Sequence, residues 1–197
     1  MPPVRSLVLA SRSPRRVALL QQIGLAPKII PSTVEETFDR NVTPAENAMR
    51  LAYEKAADVG CTLQDAIIIG ADTIVVLDDV PLSKPIDRSD AVRMLEMLSG
   101  RTHTVVTGFA LLERPGNRLF TDHEETRVTF RPLPREEIEA YVASGSPMDK
   151  AGAYGIQDDY GAVFVSRIEG CYYNVVGFPL AKFYLTMQKF QQQLGLV

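Results

Sequence analysis

Apolar positions along this chain switch between a continuous, strand-like spacing and a helical one. Leu7, Val8 and Leu9 form a buried-strand run that ends in Ser11, Arg12 and Ser13, and Pro14 then opens a helix. Ser13 and Pro14 suit its N-cap and first position, Val17, Leu19, Leu20 and Ile23 give its apolar face, and Gly24 stops it. Lys28 to Pro31 reads as a short strand delivering the chain to Glu35 and Glu36. Thr43-Pro44-Ala45-Glu46 is a capping box, predicting a helix to about Val59 with a stop at Gly60. Its stripe is Ala48, Leu51, Ala52 and Ala56, with Lys55 beside the stripe and able to reach off its edge.

Ala66 to Gly70 is apolar throughout, as in a central strand buried on both faces, and Ile74 to Leu77 reads as a second such run. Asp78-Asp79 marks a turn, and Asp87 caps a helix facing inward through Ala91, Met94, Leu95 and Leu98. Thr102 to Leu112 and Leu119 to Phe130 flank Arg114-Pro115-Gly116-Asn117 and predict a long β-hairpin. Pro134 to Ala143 predicts a short helix, and Asp149 to Gln157 a small-residue, flexible loop suited to close approach by a ligand. Ala162 to Ser166 with Tyr172 to Val176 reads as a second hairpin, and Pro179 opens a last helix through about Gln192. The pattern describes one α/β domain over residues 1–197, with the long hairpin region as a second lobe.

Composition narrows the classes. With 46% hydrophobic and 23% charged residues, the 197-residue chain is a globular rather than a disordered protein. A net charge of −3 argues against a surface made for nucleic acid, so any anion site is a local gathering of Lys and Arg. Cys61 and Cys171 lie in no metal-ligand spacing and define no disulfide framework, as expected of buried or inert thiols in a reducing compartment. There is no signal-peptide pattern and no long apolar run, so a cytoplasmic location is expected.

Against that background a few polar residues stand out. The helix start after Ser13 presents free N–H groups and a positive dipole, and Arg12, Arg15 and Arg16 add forked donors matched to phosphate. An ordinary capped helix with solvated arginines would carry the same residues. Asp72, set between two apolar runs, needs a cation, a metal or a cap. Ser11, Arg15, Arg16, Lys55 and Lys84 supply donors and cations, and Glu36 and Asp72 are candidate metal ligands. Cations with two carboxylates suit nucleoside triphosphate chemistry, in which Mg²⁺ needs only one or two protein carboxylates. Taken singly, Lys55 and Lys84 also fit solvated lysines, Glu35-Glu36 a polar loop, His103 a hydrogen-bonded hairpin residue, and Tyr172 and Tyr173 strand core.

The motifs Leu9-Ala-Ser-Arg-Ser-Pro-Arg-Arg16, Gly70-Ala-Asp-Thr73, Ser83-Lys-Pro85, Ser99-Gly100 with His103, Thr107-Gly108, Asp149-Lys-Ala-Gly-Ala-Tyr-Gly-Ile-Gln157 and Tyr173-Asn-Val-Val-Gly-Phe-Pro-Leu180 occur in that order. Together they resemble the Maf family of nucleoside triphosphate pyrophosphatases over essentially the whole chain. The resemblance implies an α/β fold like inosine triphosphatase, with a strongly twisted mixed β-sheet, flanking helices, and two lobes around a nucleotide cleft. It further implies a homodimer, a divalent metal cation (Mg²⁺ or Mn²⁺), and attack of water at the α-phosphorus to give a monophosphate and pyrophosphate. On matching positions Asp72 becomes the proton acceptor, Glu36 and Asp72 the metal site, and Ser11, Arg16, Lys55 and Lys84 the triphosphate contacts. Arg15, Thr73 and Gln157 resemble the branch acting on dTTP and UTP, and the Gln157 amide offers a donor and an acceptor to O4 and N3–H of the base. Ser83 departs from a frequent family glycine. Asp158 and Asp159 depart from small residues and are expected to point away from a polyanion. The remaining alternatives are the same chemistry on inosine-type or methylated purine nucleotides, and a nucleotide-binding regulator of cell division. A DNA-binding module has no supporting motif.

Overall fold

The computed structural model describes residues 5–157 and 159–196. Strand β1 (Ser6–Leu9) runs parallel to β2 (Lys28–Ile29) and to β3 (Ala66–Leu77), with Leu9 opposite both Ile29 and Ile69. Parallel neighbours require crossovers, supplied by α1 (Pro14–Gln22) and α2 (Pro44–Gly60). Asp78 and Asp79, both at positive φ, turn β3 back into antiparallel β4 (Val80–Leu82). After α3 (Arg88–Leu98) come the hairpin strands β5 (Thr102–Arg114) and β6 (Leu119–Phe130), and β7 (Val165–Glu169) adds antiparallel to β6. The sheet order is β2-β1-β3-β5-β6-β7, with β4 paired to β3, a mixed sheet of seven strands among the described residues. α4 (Arg135–Ala143), α5 (Tyr172–Val176) and α6 (Leu180–Gln193) complete the α/β architecture.

The caps form as their residue types dictate. Ser13 accepts from the Arg16 N–H, Asp87 from the Asp90 N–H, and Thr43 and Glu46 close a reciprocal capping box. Three expectations are corrected. Ala66 to Leu77 is one uninterrupted strand, because a polar residue changes hydropathy without breaking an extended backbone. Tyr172 to Val176 is helical, not the second strand of a hairpin: the buried Asn174 amide donates to the Val105 carbonyl and Thr126 Oγ1 at 2.9 Å each. Tertiary hydrogen bonds override the β preference of Tyr and Val there. The loop before Gln157 is not loose either; Gly152 to Ile156 are all buried, the first two of them in the short 3₁₀ turn Ala151–Ala153. Both thiols are free, Cys61 exposed and Cys171 half-buried.

The chain forms two compact units, one of Met1–Asp72, Thr107–Glu124 and Gly177–Val197, the other of Thr73–Val106 and Glu125–Val176. In the first, Val8, Ala10, Ala52, Ala56, Ala66, Ile68 and Ala110 make a small-residue core between α2 and the sheet. Two glycines set how closely the helix lies. A Cβ on Gly70 would stand 1.9 Å from the Ala52 carbonyl oxygen, and one on Gly108 would stand 2.3 Å from the Ala48 carbonyl carbon. α2 therefore rests directly on the backbones of β3 and β5.

The second unit is built on aromatic edges. His103 packs edge-on against Phe130 and Tyr154 at 5.0 and 5.4 Å, and its Nε2 shares a 2.8 Å hydrogen bond with the Tyr154 hydroxyl. Burial depresses the imidazole to a pKa of about 4 and raises that of the phenol. Above pH 6.5 both folded and unfolded chains carry neutral His103. As pH falls from there to about 4, only the unfolded chain takes up the proton, and stability drops by about 3 kcal/mol. Urea unfolding at pH 7 and pH 4 is expected to show this loss in the native protein, and a correspondingly smaller one in His103→Phe.

Candidate active site

β3 alternates its faces, so Ala66, Ile68, Gly70 and Asp72 point toward α2. Gly70 lets the helix come close, and Lys55, at the border of its apolar stripe, reaches Asp72 one strand step further on. Lys55 Nζ donates to Asp72 Oδ1 and to Glu36 Oε1, at 2.6 Å each. Lysine and aspartate are both buried, whereas Glu36 arrives from the exposed loop after β2. The lysine expected at the edge of the stripe is thus the centre of a carboxylate–ammonium–carboxylate group.

The turn after β1 brings the second cation. Arg16 is buried; its Nε donates to the Gly177 carbonyl at 3.0 Å and its Nη1 to Ser11 Oγ at 3.2 Å, while the Ser13 N–H also donates to Ser11 Oγ at 3.2 Å. Burial lowers the guanidinium pKa against the opposing pull of the Asp72 and Glu36 charges. For Asp72, burial raises the carboxyl pKa against the pull of Lys55 and Arg16.

Ser11, Arg16, Glu36, Lys55 and Asp72 therefore lie in one unit and share a hydrogen-bonded or electrostatic neighbourhood. Arg15 is half-buried on α1, one residue from Arg16, and Arg12 is exposed. Thr73, Lys84 and Gln157 belong to the second unit. Thr73 follows Asp72 on β3 and so faces the opposite side of the strand. Lys84 is exposed after β4, where the Ser83 carbonyl accepts from the Gly152 N–H at 3.1 Å. Gln157 is half-buried four residues beyond the 3₁₀ turn Ala151–Ala153, and the expected outward pointing of the Asp158 and Asp159 side chains lies outside what the structure describes. Tyr172, helical and exposed, is not strand core. The Gly177 carbonyl that orients Arg16 has no signal in the chain beyond its place in a motif.

The Glu36 and Asp72 carboxylates both converge on the Lys55 ammonium, and carboxylate oxygens are the ligand type that a hard divalent cation takes. No cluster of three or more His, Cys, Asp and Glu side chains that could hold a metal occurs among the described residues, so protein ligands alone would not complete a coordination shell. The set combines two buried cations, a basic carboxylate and a second carboxylate beside a capped helix start. It can bind a polyphosphate and accept a proton from water. Among the described residues no helix is long and apolar enough to cross a membrane.

Comparison with known proteins agrees. The chain is 48% identical over 187 residues to a dTTP/UTP pyrophosphatase of Pelotomaculum thermopropionicum, covering 95% of this chain and 97% of the relative. It is 46% identical over 192 residues to one of Ruminiclostridium cellulolyticum, covering 97% and 99%. It is 51% identical over 176 residues to one of Moorella thermoacetica, covering 89% and 90%. The model of the Maf-like protein family matches residues 6–190. With a motif set, a mixed sheet and a family match that each span nearly its whole length, the chain belongs to the Maf-like protein family.

Proposed function

We propose that this protein is a nucleoside triphosphate pyrophosphatase that hydrolyses dTTP and UTP between the α- and β-phosphates. The observation that carries the reading is the buried Lys55 held between Asp72 and Glu36, in a chain similar along its length to proteins named dTTP/UTP pyrophosphatase. Asp72 accepts a proton from the attacking water, whose oxygen bonds to the α-phosphorus as the bond to the pyrophosphate oxygen breaks. Lys55, Arg16 and Lys84 offset the charge of the triphosphate, and Ser11 orients Arg16 while adding a hydroxyl donor. Glu36 and Asp72 would hold a divalent cation, Mg²⁺ or Mn²⁺, which would supply charge neutralisation and polarise phosphate oxygen. A cytoplasmic homodimer is part of the same reading.

The test is pyrophosphate release from a panel of nucleoside triphosphates with each metal. dTTP and UTP are expected to exceed GTP and ATP, and equal rates on all four would remove the assignment of specificity to Arg15, Thr73 and Gln157. Gln157→Glu replaces a donor–acceptor amide with an acceptor-only carboxylate. It is expected to lower kcat/KM for dTTP and UTP by about ten- to a hundredfold, the effect of one lost hydrogen bond to the base with a charge left facing it.

A further inference from the structure

Glu36 sits on an exposed loop, yet its carboxylate is placed within 2.6 Å of a buried lysine. The reason lies along one side of α2. At 3.6 residues per turn, Asn47, Arg50, Glu54, Lys55 and Asp58 fall within about 140° of arc, just beside the apolar stripe. The loop after β2 runs antiparallel to this face and is fastened to it point by point. Asp58 Oδ2 accepts from Ser32 Oγ at 2.9 Å and from the Thr33 N–H at 2.8 Å. Arg50, oriented by Glu54 at 2.8 Å, donates to the Thr37 carbonyl at 2.7 Å. The Asn47 amide, fully buried, grips Asp39 by both backbone groups, accepting from its N–H at 2.9 Å and donating to its carbonyl at 2.7 Å. Between these fastenings the Thr37 N–H donates to the Glu35 carbonyl at 3.0 Å, so Glu36 is the apex of a tight turn. From Thr33 to Asp39 the strap covers the about 16 Å that separate Asp58 from Asn47, against about 20–22 Å for six fully extended steps, and the turn at Glu36 takes up the difference.

We infer that Asn47, Arg50 and Asp58 are positioning residues, holding the 32–39 strap along α2 so that Glu36 stands at Lys55 and Asp72. The inference rests on the proposed role of Glu36 and adds to it how an exposed loop presents a carboxylate with defined geometry. The Asp58 carboxyl is held below its ordinary range by the Thr33 and Ser32 hydrogen bonds, as a tightly used acceptor is.

The experiment is a cycle of Asp58→Ala, Glu36→Gln and the double variant. It is followed by pyrophosphate release from dTTP and by amide hydrogen exchange of the metal-free protein. Asp58 is half-exposed, so its truncation leaves the core intact. Asp58→Ala is expected to lower kcat/KM about tenfold, and in the Glu36→Gln background to change it less than about twofold, because a positioning residue has nothing left to act through. Amides of 33–38 are expected to exchange faster in Asp58→Ala while those of α2 keep their protection. Additive losses, or unchanged exchange in the strap, overturn the inference and leave the role of Glu36 standing. A Glu36→Gln variant with the native rate overturns both.

Discussion

Replacing Asp72 with asparagine is expected to lower pyrophosphate release from dTTP by about 10²- to 10⁴-fold, the span for loss of a positioned general base. The corresponding rise in barrier is about 3–5 kcal/mol. The replacement is isosteric, and an amide oxygen remains to accept the hydrogen bond from Lys55 now made to Oδ1. The lysine also retains Glu36 at 2.6 Å, so its charge is not left buried without a carboxylate. The amide cannot take up a proton from water, and its weaker donor oxygen is a poorer ligand for a hard cation. The fold should therefore survive while turnover does not. Circular dichroism and thermal unfolding alongside the pyrophosphate assay separate the two effects. A native rate in this variant would remove Asp72 as the base and leave Glu36 as the remaining carboxylate of the group.

Parts of this arrangement are legible in the sequence and parts are not. Helix starts are, because caps are local: Ser13, Thr43 and Asp87 each satisfy an N–H three residues away. Asp72 was legible as an anomaly, since an unpaired carboxylate in an apolar setting is too costly to persist. Its place in mid-strand was not, because alternation is masked where a strand is buried on both faces. The helical geometry of Tyr172 to Val176 is not legible, because it depends on Asn174 reaching strands far away in the sequence. The strap was invisible for the same reason. Asn47, Arg50 and Asp58 are ordinary surface-type residues on a helix until the loop that they hold is known. Lys55 lies between the two cases: its position on the wheel was clear, but only the depth of helix–sheet packing shows that its ammonium is buried.

That packing depth is the basis of the second large effect. Gly70→Ala is expected to destabilise the protein by roughly 3 kcal/mol or more, at or beyond the usual upper end for overpacking. Its Cβ would lie 1.9 Å from the Ala52 carbonyl oxygen and 3.0 Å from the Ala56 backbone nitrogen, so no side-chain rotamer change can relieve it. α2 would have to move away from β3 as a body, opening the core of Val8, Ala10, Ala52, Ala56 and Ile68. The same movement would carry Lys55 away from Asp72, so activity should fall together with stability. With a denaturant slope of about 2 kcal/mol per molar, the urea midpoint would drop by about 1.5 M. Gly24→Ala provides the contrast. Gly24 has a positive φ of 79° but no atom within 4 Å of an added Cβ. It should lose only the about 1–2 kcal/mol of a left-handed backbone and keep its activity. Equal effects at the two glycines would mean that backbone freedom, rather than the close approach of α2, is what Gly70 provides.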